Sequence, residues 1–155
     1  MSTAMPGDVI LTRNDYVIVN NFIPGWYSHI GMVNISGSKK TIIDAVDPLV
    51  REIPLLEFLK SHCYARLCRD TKLPALERQK IADAARKYVG TPYDYGFEDN
   101  SKELYCIELV GVSYKDVVGY LPFQRRVVWG VETSYPEDVL SSPHFSSLYK
   151  SFNAK

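Results

Sequence analysis

Two apolar runs joined by a short polar turn constrain this chain more than any other stretch. From Tyr27 onward, strand-like alternation places Tyr27, His29, Gly31 and Val33 on one face and Ser28, Ile30 and Met32 on the other. Ser36-Gly-Ser-Lys-Lys40 reads as a hairpin turn, after which Thr41-Ile-Ile-Asp-Ala-Val46 is a second apolar strand interrupted by an acid. Strands joined in this way pair antiparallel, so His29 and Asp44 are expected on neighbouring strands with their side chains able to meet. Gly31, with no side chain, leaves room beside the histidine.

A second constraint is the stretch from Gly90 to Val110, which closes one helix, crosses a loop and opens another. Between Pro74 and Gly90, Ile81, Ala84, Ala85 and Tyr88 recur at helical spacing and Gly90 supplies the stop. The same periodicity from about Lys102 to Val118 buries Leu104, Ile107, Val110 and Val118, with Gly111 permitting close approach of a neighbour. Cys106 falls near the start of that helix, where the positive end of the helix dipole favours thiolate over thiol. An isolated cysteine is more often an inert core residue. Here it shares the chain with an imidazole and a carboxylate on paired strands, and a thiol, an imidazole and an acid are the parts of a triad recognised by role rather than by order.

The remaining segments fill in around this pair of elements. Asp8 to Arg13 is a strand after a Pro-Gly turn; Tyr16 to Asn20 is a short apolar run compatible with helix or strand; Asn20-Asn21 and Pro24-Gly25 mark a loop. Leu49 to Ile53 adds a strand, Pro54 to Lys60 a helix with proline in its first turn, and Tyr64 to Cys68 another strand. The tail carries aromatic and basic residues around Phe123 to Arg126 and Trp129, then a short helix from Tyr135 to Leu140 opened by Pro136 and ended by Ser141 to Phe145. No repeat, linker or low-complexity tract divides residues 1–155, so the expectation is a single α+β domain built on one antiparallel sheet packed against helices.

Composition excludes more than it selects. Lys plus Arg and Asp plus Glu both number 18, which gives no electrostatic argument for a nucleic-acid partner. The three cysteines, Cys63, Cys68 and Cys106, are an odd count in a chain that is not cysteine-dense, which argues against a disulfide framework. His62-Cys63 with Cys68 and His29 or His144 fits no structural zinc spacing, and the scattered glycines form no phosphate loop. The expectation is an enzyme without metal or cofactor. No integral membrane segment is expected, and the start lacks the regions of a signal peptide, so the expected location is cytoplasmic.

Gly7-Asp-Val-Ile-Leu, Ser28-His-Ile-Gly-Met-Val, Ile43-Asp-Ala-Val, Gly90-Thr-Pro-Tyr-Asp and Tyr105-Cys-Ile-Glu-Leu-Val together resemble the circularly permuted papain-like amidases of the YaeF/YiiX type, within the NlpC-type superfamily. The blocks span roughly residues 6 to 145. Their order, His29 before Asp44 before Cys106, is that of the permuted branch. The resemblance implies Cys106 as nucleophile, His29 as base, Asp44 as the residue orienting the imidazole, and Tyr93 near the oxyanion. Glu108, two residues after the cysteine, is held as a supporting group behind this set. Two positions depart from the family pattern: Ile107 stands where a small polar residue usually follows the cysteine, and Asp44 stands where glutamate is common.

The function implied is cysteine-dependent hydrolysis of a small peptide or amide, a cell-wall peptide being one such substrate. Two other readings are carried beside it. One is a thiol-dependent lipid acyltransferase or phospholipase, which uses the same three groups on acyl esters. The other is a peptide-binding module that keeps the groove without turnover.

Overall fold

A computed structural model describes residues 3–13, 25–96, 102–128 and 130–152. The run at Tyr16 to Asn20, the turn residues Asn20, Asn21 and Pro24, and Trp129 lie outside the described residues. The elements in chain order are β1 (Val9–Arg13), β2 (His29–Ser36), β3 (Lys39–Val46), β4 (Leu49–Pro54), α1 (Leu55–Lys60), β5 (Tyr64–Asp70), α2 (Ala75–Arg86), α3 (Cys106–Val118), β6 (Arg126–Val128), β7 (Val131–Thr133), α4 (Asp138–Ser141) and β8 (Phe145–Phe152). Six strands form one antiparallel sheet in the order β4-β3-β2-β1-β5-β8, and β6 and β7 form a separate hairpin. This is the expected α+β architecture.

Strand alternation explains how the sheet is covered. Val9, Leu11, Ile30, Met32 and Ile43 point to one face, where they pack with Ile81 and Ala85 of α2 and Ile107, Val110 and Tyr114 of α3. Ile10, Val33, Ile42 and Leu67 point to the other, against Leu55 and Phe58 of α1. Central strands buried on both faces read as continuous apolar runs for this reason. Tyr27 is an exception to the alternation read from sequence: β2 begins at His29, so Tyr27 precedes the strand and packs with Ile30 and Met32 instead of opposite them.

The hairpin turn does what the sequence implies. Ser36 pairs with Lys39, Asn34 with Thr41 and Gly31 with Asp44. A Cβ at Gly31 would lie 2.6 Å from Ile42 Cγ2 and 3.3 Å from Asp44 Cβ, so glycine is required for the close approach of β3 at the level of the acid. At the other end, α3 begins at Cys106, later than the periodicity suggests. Leu104 is buried, but as a bridge partner of Tyr93 ahead of the helix, and Tyr105 caps it with extended backbone at φ −96° and ψ 175°. Gly119 ends α3 in the left-handed conformation at φ 78°. Gly111 brings Leu121 close, with Leu121 Cδ2 2.9 Å from where a Cβ would stand.

Candidate active site

Each side chain of the site is positioned by an element end. His29 is the first residue of β2, Asp44 lies near the end of the antiparallel β3, and Cys106 is the first residue of α3. His29 Nε2 and Asp44 Oδ2 are 2.9 Å apart, with the histidine side chain 16% exposed and the carboxylate fully buried. Cys106 is buried and acts on the same ring through hydrogen bonding and charge. With Nε2 turned to the acid, Nδ1 is the nitrogen that remains for the sulfur. The structure therefore brings the three residues expected from sequence into one cluster.

Burial opposes the charged form of His29 more than any other single influence. The hydrogen bonds and charges of Asp44 and Cys106 outweigh it, and the imidazole is raised from 6.5 to about 10. Burial likewise works to raise Asp44, yet the hydrogen bonds and charges of His29 and Arg51 hold its carboxyl below the usual range. Arg51 donates from Nε to Asp44 Oδ1 at 2.9 Å and from Nη2 to Oδ2 at 3.4 Å. Sequence reasoning misses this arginine. The signal is available, because β3 and β4 are joined at Asp47-Pro48 and the resulting register sets Arg51 opposite Asp44.

His62 is the second residue that sequence reasoning places elsewhere, considering it only as a metal ligand. Its ring stacks on that of His29 at 5.7 Å between centroids and 6° between planes. His144, considered in the same way, lies at the far end of β5, where its Nδ1 is 3.3 Å from Asp70 Oδ2. Cys63 and Cys68 are both buried and neither is in a disulfide, and burial pushes the Cys68 thiol up to about 11.

Tyr93 stands on the segment that leads into α3. Its backbone N–H donates to Pro48 O at 2.9 Å and its residue pairs with Leu104, which fastens the loop beside the start of the helix. Burial, then the charges of Cys106 and Asp94, push its hydroxyl upward, so it stays protonated as a donor at neutral pH. Glu108 is the third residue of α3 and pairs with the residue that caps the helix. Its Oε2 accepts the Tyr105 N–H at 3.3 Å and so secures the residue just before Cys106. As the first helical residue, Cys106 has a backbone N–H with no acceptor inside the helix.

One antiparallel sheet packed against helices, with histidine, acid and cysteine following in that chain order, is the arrangement of a papain-like fold in permuted form. The chain belongs to the family of permuted papain-like amidase enzymes, YaeF/YiiX, C92 family, whose sequence model matches residues 3–149. It is 32% identical over 127 residues to YiiX of Escherichia coli (strain K12), an uncharacterized protein; the match takes in 80% of this chain and 59% of that one. The chain thus spans about three fifths of that relative's length. A crystal structure of the metalloprotein yiiX from Escherichia coli O157:H7 superposes with a TM-score of 0.85 at 21% identity, over 96% of this chain and 98% of that chain. At that identity the likeness is one of fold.

Proposed function

We propose that this chain is a cysteine-dependent amidase or peptidase that hydrolyses a small peptide or amide through Cys106, His29 and Asp44. The observation that carries the reading is the placement of one imidazole between a buried carboxylate, at 2.9 Å, and a thiol at the start of a 13-residue helix. His29 takes the thiol proton on Nδ1, and the sulfur attacks the amide carbonyl carbon. The carbonyl π pair moves to oxygen, where the Cys106 backbone N–H and the Tyr93 hydroxyl are the donors available to the oxyanion. As the oxyanion collapses, the C–N bond breaks and His29 gives its proton to the departing amine. Water, deprotonated by His29, then attacks the thioester carbonyl, and the thiolate leaves with the carboxylic acid as second product. Asp44 keeps the ring oriented and favours its charged form throughout.

Every step of this reading is carried by side chains and backbone of the chain itself. The E. coli yiiX of the crystal structure is called a metalloprotein. Among the described residues of this chain, no group of three or more His, Cys, Asp or Glu side chains gathers to hold an ion, so no step is routed through one. Among the same residues no helix is long and apolar enough to cross a membrane.

The test is a hydrolysis panel of short peptides, simple amides and acyl esters, run with the purified protein and with Cys106→Ala. Turnover of an amide or peptide that disappears in the variant supports the proposal. Equal turnover by both proteins contradicts it. Turnover confined to acyl esters would move the chain to the lipid-acyl reading.

A further inference from the structure

His62 follows the short helix α1 and takes no part in the proposed chemistry, yet its ring lies parallel to that of His29, at 5.7 Å and 6°. Phe58 backs both rings, with its centroid 4.6 Å from His62 and 6.0 Å from His29. His62 Nδ1 is 2.8 Å from the Phe58 carbonyl oxygen. A carbonyl only accepts, so Nδ1 carries the hydrogen and the ring is tied to the backbone that anchors Phe58. Phe58 itself is fully buried in the core between α1 and the sheet. The stacked ring is therefore fixed to the scaffold on one side and laid against the imidazole on the other.

We infer that His62 is a positioning residue for His29, holding the imidazole in the plane that points Nε2 at Asp44 and Nδ1 at Cys106. This role rests on the catalytic reading of Cys106 and His29. A histidine ring joined by single bonds is free to turn unless its faces are packed, because the aromatic torsion is broad. Asp44 and Cys106 meet the ring at its edges, and neither packs its faces. Parallel, offset stacking supplies the face contact, and a neutral ring on a charged one is attractive where two charged rings would repel. His62 meets that condition. Burial first, and then the charges of His29 and Arg51, lower it to about 4 against the opposing pull of the Phe58 hydrogen bond and of Asp44, so it is uncharged at neutral pH.

The consequence is read in two measurements on the full chain. Iodoacetamide alkylation of Cys106 at neutral pH reports how well the imidazole serves the sulfur. Solvent exchange of the His29 Nε2 proton, followed by nitrogen-edited NMR, reports whether the ring stays on Asp44. His62→Ala should slow alkylation by about tenfold to a hundredfold, the scale of a small misplacement of a reacting group, and should speed proton exchange. His62→Phe, which restores a flat ring that cannot titrate, should recover most of both losses. Wild-type alkylation and exchange in His62→Ala would overturn the inference, as would equal impairment in the alanine and phenylalanine variants. If His62→Ala fails to fold, His62→Phe decides: retained rate and slow exchange support the stacking role, and a full loss of rate overturns it. Should the wild-type protein alkylate Cys106 no faster than Cys63 and Cys68, the catalytic reading itself falls and this inference falls with it.

Discussion

Replacing Asp44 by asparagine probes the electrostatic centre of the site without changing its shape. Raising an imidazole from 6.5 to about 10 corresponds to about 5 kcal/mol in favour of the charged form, taking 1.36 kcal/mol for each pH unit. Burial opposes the charged form, so Asp44 and Cys106 together supply more than that net effect, and roughly half of the net is a lower bound for the carboxylate, whose hydrogen bond is the largest favourable influence. Asparagine keeps an oxygen to accept from His29 Nε2 but removes the charge, and Arg51, deprived of its carboxylate, is left facing the imidazolium. His29 in Asp44→Asn should therefore titrate at or below about 8, as followed by ring-proton NMR.

The sign of the stability change follows from the same shift. A histidine raised on folding contributes stability that is fully present below 6.5 and is lost as pH rises through about 10. In urea denaturation, the wild-type protein should therefore lose stability over that range relative to Asp44→Asn, and the difference at pH 6 should be about 3 kcal/mol, the lower end for breaking a buried pair. The rate of any Cys106-dependent turnover should fall about tenfold to a thousandfold. A His29 titration that stays near 10 in the variant would refute the reasoning, because it would show that the carboxylate is not what sustains the imidazolium.

Two further substitutions have defined outcomes. Gly31→Ala places a methyl 2.6 Å from Ile42 Cγ2 and 3.3 Å from Asp44 Cβ, so it should cost about 1–3 kcal/mol in chemical denaturation; an unchanged midpoint would count against the close packing of β2 on β3. Tyr93→Phe should lower the turnover number by up to a hundredfold with little change in KM, since one oxyanion donor is worth about 3 kcal/mol and the Cys106 backbone N–H remains. A change confined to KM would place Tyr93 in ground-state binding instead.

The parts of the site that are legible in the sequence are those set by local chain geometry. A turn with Gly37 and the two apolar runs it joins fix the register of β2 and β3, and register alone brings His29 to Asp44. The start of α3 is legible only approximately, because helical spacing extends through Leu104, while the pairing of that residue with Tyr93 holds it out of the helix. His62 is not legible as a neighbour of His29. Its place depends on how α1 folds back over the sheet, which leaves no trace in spacing or composition. The same limit explains the strands that sequence reasoning misses: β6 and β7 have three residues each, and β8 is an edge strand rich in polar residues, so none of them carries the continuous apolar run that marks β1 to β3.

The central claim, that Cys106 is the nucleophile because His29 and a helix start activate it, is tested most directly by competition among the three cysteines in the folded protein. Limiting iodoacetamide at mildly acidic pH, followed by peptide mapping, gives the relative rates of Cys63, Cys68 and Cys106 in one experiment. All three are buried, so exposure alone does not decide the result. The account predicts that Cys106 is modified first and that His29→Ala removes its advantage. Faster modification of Cys63 or Cys68, or an advantage of Cys106 that survives the loss of His29, would contradict it.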